Sequence, residues 1–295
     1  MERTLKPVHI ALFVAIMAVW GLNFAIAKIG LRTLPPILMM ALRWGLVALM
    51  MVPFLRWPRG QWPALILLSF TLGFIHFTLI FTGLRTLDAG TAAIAIQLQV
   101  PFAAFLAAVV FRDMLGWRRA AGMAIAFAGV AVVAGEPRLE GQYLALAMVI
   151  AAACIWSIAS IQIKKLGKID GMSLNGWIGV FATPQLVLGS WLLENGQWEA
   201  LGAMDGPVIA SVLYQAVFVV GFGYGAWYRL LRIYDVNQAM PFLLLLPVFG
   251  VLSGVLMLGE SLSFQFVVGG LMTVSGIAII MLRRPRLVAP GAERI

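Results

Sequence analysis

Two cations, Lys28 and Arg43, lie inside stretches of sequence that are otherwise almost wholly apolar. An ionised side chain in such surroundings is costly and rarely faces a nonpolar solvent. Arg43 suits a bidentate contact with a carboxylate, and the competing reading is a structural pair with Asp88 or Glu260. Lys28 stands at the end of its stretch, where recognition competes with a long stem that reaches back to a polar surface. His76 lies near the middle of another stretch and is the only group there that ordinarily titrates near neutral pH. A proton relay and a neutral histidine hydrogen-bonded between helices both remain open. Asp88, Asp113, Asp235 and Glu260 all fall at the ends of stretches. The lack of a central carboxylate argues against a pump that exchanges protons for organic cations.

Around these groups stand amphipathic side chains at helical spacing. Trp20 and Asn23 share a face, as do Trp156 and Ser160, and a ring beside a polar group suits a small polar metabolite. Interhelical packing is the alternative for each. Gln97 and Gln99 are about 200° apart on a helix, so only one can face a cavity; Gln97 is preferred because Pro101 lies on its side. Tyr224, Trp227 and Tyr228 form a stripe beside Gly221, Gly223 and Gly225; Tyr224 and Trp227 are candidates to line the substrate cavity, with Tyr228 read as an interfacial anchor. Pro101, Pro241 and Pro247 each remove the bond to the carbonyl four residues earlier, on Gln97, Asn237 and Leu243 respectively, and are candidate gating points. No Gly-x-x-x-x-Gly-Lys-Ser/Thr, His-Glu-x-x-His or Gly-x-Ser-x-Gly occurs, so nucleotide, zinc and serine hydrolysis have no local support. No cofactor or metal site is expected.

What must position these residues follows from composition. The 295 residues are 62% hydrophobic and 11% charged, with a mean hydropathy of +0.97, far from a soluble domain. A bilayer core about 30 Å thick needs about 20 apolar residues per helix. Lipid satisfies no backbone groups, and the runs lack the alternation of a membrane barrel, so helices are implied. Ten spans are expected: Val8 to Ile29, Ile37 to Leu55, Ala64 to Leu84, Thr91 to Phe111, Ala120 to Ala134, Gln142 to Ile163, Leu174 to Leu193, Val208 to Leu231, Val236 to Leu258 and Phe264 to Leu282. Pro35-Pro36, Trp57-Pro58-Arg59-Gly60 and Gly135-Glu136-Pro137 punctuate them as turns should. The first span is too long for a signal-peptide core and is read as a retained helix. The single Cys154 excludes a disulfide framework within the chain.

The net charge of +9 is spread through short loops rather than gathered in a basic domain, so no nucleic-acid partner is expected; the partners are a small-molecule substrate and the lipid bilayer, with a monomer or homodimer. Of the 21 Lys and Arg residues, Lys28 and Arg43 lie within spans and Arg32, Arg85 and Arg138 on one side, leaving sixteen on the other. The positive-inside rule then places both termini in the cytoplasm of a bacterial inner-membrane protein.

The halves also match each other. Trp20 and Lys28 align with Trp156 and Lys164; Leu84-Arg85-x-x-Asp88, Asp113, Gly122 and Gly129 align with Leu231-Arg232-x-x-Asp235, Glu260, Gly269 and Gly276. Five helices per half is an odd number, so the second half inserts upside down. The fold class expected is an all-α membrane protein of ten transmembrane helices in two inverted five-helix repeats, 1–137 and 138–295, with a substrate site near the midplane between them.

With Trp20-Gly21-Leu22-Asn23-Phe24, Pro35-Pro36, Leu42-Arg43-Trp44, the Pro247 to Glu260 segment and the paired glycines in view, the chain resembles the drug/metabolite transporter superfamily, and within it the ten-helix EamA family. The stretches Trp20 to Trp44 and Gly223-Tyr224-Gly225-Ala226-Trp227 look most similar to the O-acetylserine/cysteine exporters. One departure is Asp113, where the family usually has Glu. The resemblance implies a secondary transporter, not an enzyme, that exports a small amino acid or derivative such as cysteine or O-acetylserine by alternating access. Exporters of aromatic amino acids or nucleosides are the neighbouring alternative, and a membrane-embedded enzyme or scaffold without transport is the alternative from another class.

Overall fold

A computed structural model describes residues 4–58, 60–111, 116–167, 169–234 and 236–281. Arg3, Arg59, Arg112, Asp113, Lys168, Asp235, Arg283, Arg284, Arg286 and Arg294, all used above, lie outside the described residues. Ten helices are long and apolar enough to cross a membrane: α1 (Pro7–Leu31), α2 (Pro36–Phe54), α3 (Trp62–Thr86), α4 (Ala89–Val110), α5 (Trp117–Ala134), α6 (Tyr143–Leu166), α7 (Gly171–Leu193), α8 (Gly206–Leu231), α9 (Met240–Leu258) and α10 (Phe264–Met281). No strand occurs among the described residues. We call the side where α1 begins the terminal side and the opposite one the distal side.

The helices pair as an inverted repeat requires. Counterparts pack on each other, α2 on α7, α4 on α9 and α5 on α10. The remaining large interfaces come in symmetric sets: α1 against α8 and α9, α6 against α3 and α4, and α2 on α8 beside α7 on α3. The α5–α10 contact is the tightest. A Cβ on Gly129 would lie 2.5 Å from Thr273 N, and one on Gly276 2.5 Å from both Ala126 N and Gly122 O. Glycine is needed there because backbone meets backbone.

Irregular turns also recur at matching places. α3 carries a π-helical segment over Ser69–His76 and α8 one over Tyr214–Tyr224. α4 tightens to a 3-10 turn at Ile96–Leu98 and α9 at Met240–Leu244. The first of these turns closely precedes Pro101 and the second contains Pro241, whose missing N–H groups break the ordinary ladder. Pro247 differs: it falls in the first turn of the regular helix Leu245–Leu258, where its missing donor costs nothing. Carbonyls in and beside the π segments find side-chain donors, with Ser69 Oγ donating to Ile66 O at 2.8 Å, Thr71 Oγ1 to Leu67 O at 2.9 Å and Trp20 Nε1 to Val219 O at 3.1 Å. In a bilayer those partners replace water.

On the distal side the second half clamps helix N-termini of the first. Glu194 accepts from the amides of Ile37 and Leu38 at 2.7 and 3.0 Å, and Glu260 from those of Ala89 and Gly90 at 2.6 and 3.0 Å. Each carboxylate thereby meets the positive end of a helix. Arg138 bonds Glu136 at 2.6 Å and Ser261 O at 2.6 Å and lies 3.7 Å from Asp88, joining three distal loops.

Candidate functional site

Between the halves lies a cavity of about 270 Å³, small beside the roughly 300–1,000 Å³ of drug-sized pockets. Trp20 and Asn23 of α1 meet Trp156 of α6 across it, so the two counterpart helices each contribute a tryptophan. Arg43 enters from α2, His76 from the end of the π segment of α3, Gln99 from α4, and Tyr224 and Trp227 from α8; Met240, Leu243 and Leu246 of α9 complete the wall. Its distal lining is sealed: Phe24, Ile80, Phe81, Leu84 and Ile96 are all buried. Met240, Leu243 and Leu246, toward the terminal side, are only half-buried.

Among the described residues Arg43 is the only charged one in that wall, and it is itself buried. It stands seven residues into α2, about 10 Å below the distal end at 1.5 Å per residue. Its guanidinium carbon sits 4.6 Å from the ring centroid of Phe77, 5.6 Å from Trp44 and 6.0 Å from Phe81. No described carboxylate lies within 4 Å of it, Nη1 reaches only the Met40 sulfur at 4.0 Å, and Nε is buried without a partner. The competing reading, a structural pair with Asp88 or Glu260, is not what the structure has: Asp88 faces Arg138 and Glu260 caps α4. Cation–π contacts are worth about 2 kcal/mol when desolvated, against a penalty of several kcal/mol for an unpaired buried ion. The site holds a positive charge that its own side chains do not neutralise.

The polar groups around it are oriented. His76 Nδ1 lies 2.8 Å from Ala152 O; a carbonyl only accepts, so that nitrogen carries the proton and Nε2 is left for the cavity. Asn23 Oδ1 is a buried acceptor without a partner. Trp20 packs on Tyr224 and Trp227 at 5.0 and 5.6 Å, with its indole N–H held by Val219 O. The arrangement offers donors at Arg43, acceptors at Asn23 and His76, and aromatic faces between them.

Seven of the nine residues expected at the site are brought together; Gln97 and Ser160 are not. Gln97 is buried away from the cavity, and Gln99 takes the place expected for it. Pro101 shares the face of Gln97, but that face is buried in packing, so the proline marked the wrong side. Ser160 Oγ returns to Trp156 O at 2.9 Å within its own helix. Lys28 lies off the cavity and donates to Leu87 O at the distal end. Tyr228 packs against α7, where Asn175 Nδ2 donates to its hydroxyl at 3.3 Å and its ring covers Gly171. The wall formed by Phe77, Ile80, Phe81 and Leu84 went unread, although their spacing along α3 puts them on one face around His76. Among the described residues no group of three or more His, Cys, Asp or Glu converges as a metal site would need.

The profile of the EamA-like transporter family matches the chain twice, over residues 8–135 and 143–282. The chain belongs to the EamA-like transporter family. It is a multi-pass membrane transporter, not an enzyme. A protein of Salmonella typhimurium named a probable amino-acid metabolite efflux pump is 33% identical over 274 residues, which cover 90% of this chain and 91% of that one. An Escherichia coli protein of the same name is 31% identical over the same shares. A solved crystal structure aligns with a TM-score of 0.65 over 94% of this chain and 98% of the other; at 18% identity the likeness bears on the fold alone.

Proposed function

We propose that this EamA-like transporter exports a small amino acid or amino-acid derivative, with cysteine and O-acetylserine the first candidates, by alternating access at the cavity between the halves. The observation that carries the reading is Arg43, a buried guanidinium that faces a small cavity with no described carboxylate beside it. A substrate carboxylate supplies the missing charge, in a bidentate contact that lysine would not reproduce. The unpartnered oxygen of Asn23 and the faces of Trp20, Trp156 and Tyr224 then receive the ammonium group. The names of the two bacterial relatives agree with this class of cargo.

The excess of basic residues puts the terminal side in the cytoplasm of a bacterial inner membrane. The distal carboxylate clamps and the half-buried terminal wall then correspond to an inward-open state, ready to load. The halves, 1–137 and 138–295, are the units that exchange conformations, with the 3-10 turns at Pro101 and Pro241 as points of bending. Binding tests the site directly. Purified protein should be stabilised thermally by L-cysteine or O-acetyl-L-serine but not by cysteamine, which lacks the carboxylate, and Arg43→Ala should lose the effect. Equal stabilisation by cysteamine would reject the carboxylate role.

A further inference from the structure

A second cavity, of about 530 Å³, opens on the distal side between the halves. α2 and α3 of the first half wall one side, with Met148 of α6 and the segment after α7 on the other. It is separate from the central cavity yet shares α3 with it. Ile80, Phe81 and Leu84 face the centre, while Thr78, Thr82 and Arg85, spaced four and three apart, face the distal cleft. Thr78 is eight residues from the end of α3, so the cleft reaches about 12 Å below that end, and its hydroxyl is buried there without a partner.

Among the described residues Arg85 is the cleft's only cation, and the pseudo-symmetry shows what it lacks. Its counterpart Arg232, on the terminal side, bonds Asp170 at 2.6 Å, and Asp170 is the N-cap of α7. The N-cap of α2, the counterpart of α7, is Pro35, which has no charge to offer. The acid nearest in the cleft, Glu194, is already taken by the amides of Ile37 and Leu38 and by Ser190 Oγ at 2.8 Å. No described carboxylate lies within 4 Å of Arg85. The repeat keeps the arginine on both sides and its acid on one.

We infer that the distal cleft is a second binding site, in which Arg85 takes the carboxylate of a small amino acid and the hydroxyls of Thr78 and Thr82 take its polar remainder. It serves as the station from which an exported substrate leaves, and that link to export, unlike the anion site itself, rests on the transport reading above. Arg85 sits in water's reach, so its hold on an anion is weak and salt-sensitive, which suits release.

The test needs neither flux nor Arg43, so its failure is distinguishable from failure of the central site. Full-length protein in detergent, with Cys154→Ala and a reporter at Asn195→Cys on the cleft wall after α7, is labelled with an anionic sulfonatoethyl thiosulfonate and a cationic trimethylammonium one. The anionic reagent should react faster, and Arg85→Gln should cut that preference about tenfold, the lower bound for local focusing of ions in a charged cleft. Acetate and O-acetyl-L-serine should slow labelling when Arg85 is present and not in Arg85→Gln. Thr33→Cys, just ahead of α2 in the same lining, repeats the measurement should Asn195→Cys fail to fold. An unchanged preference in Arg85→Gln, or no protection by acetate, overturns the site. Protection by acetate alone keeps the anion site and overturns its link to export.

Discussion

Arg43 is unusual in being easier to explain by what it awaits than by what it touches. Its neighbours are rings and a thioether, and a buried ion without a partner destabilises the fold by several kcal/mol. Arg43→Met should therefore leave the ligand-free melting temperature unchanged or raised while abolishing stabilisation by amino acids. A drop as large as that of an ordinary core truncation, about 2–5 kcal/mol, would instead make Arg43 a structural residue. The glutamines separate in the same way. Gln99→Ala should weaken substrate affinity by about 1 kcal/mol, the worth of a hydrogen bond, read as a raised KM with little loss of stability. Gln97→Ala, off the cavity, should leave KM alone. The reverse pattern would move the site to the other face of α4.

At the scale of helices, most of the architecture was legible because a bilayer imposes one dominant rule. Apolar runs of about 20 residues between basic turns have no other reading, and all ten observed spans overlap those expected. The paired glycines were legible too, because seven-residue spacing puts them on one face. The π segments of α3 and α8 were not, since nothing in Ser-Phe-Thr-Leu-Gly-Phe-Ile-His departs from an ordinary apolar helix. What distinguishes them is tertiary packing at a glycine within each: a Cβ on Gly73 would lie 2.4 Å from Ala182 Cβ, and one on Gly223 2.4 Å from Trp20 Nε1. The cavity face of α4 was misread because a proline reports where a helix can bend, not which side is empty. For packing, Gly276→Ala should cost about 1–3 kcal/mol by overpacking, since its new methyl would strike Ala126 N and Gly122 O. Gly202→Ala, with nothing within 4 Å, should melt with the wild type. Equal melting of both variants, followed by tryptophan fluorescence, would contradict the close α5–α10 approach.

For the whole molecule the two halves form one device: matched distortions and counterpart interfaces obey the same inverted repeat, and carboxylates of the second half cap helices of the first. Its orientation is open to direct measurement. In a Cys154→Ala background, Glu140→Cys and Trp198→Cys should react with an impermeant maleimide on intact cells, and Arg118→Cys only after permeabilisation. External labelling at Arg118 would turn the molecule over and reverse the loading side. The claim on which the rest depends is that Arg43 reads a carboxylate in the central cavity of a working transporter. Proteoliposomes loaded with radiolabelled L-cysteine, O-acetyl-L-serine or cysteamine test it most directly. The account predicts rapid flux of at least one of the two acids in wild type, none of the amine above protein-free vesicles, and loss of that flux in Arg43→Ala. Wild-type flux in Arg43→Ala, or cysteamine carried as fast as the acids, would contradict it.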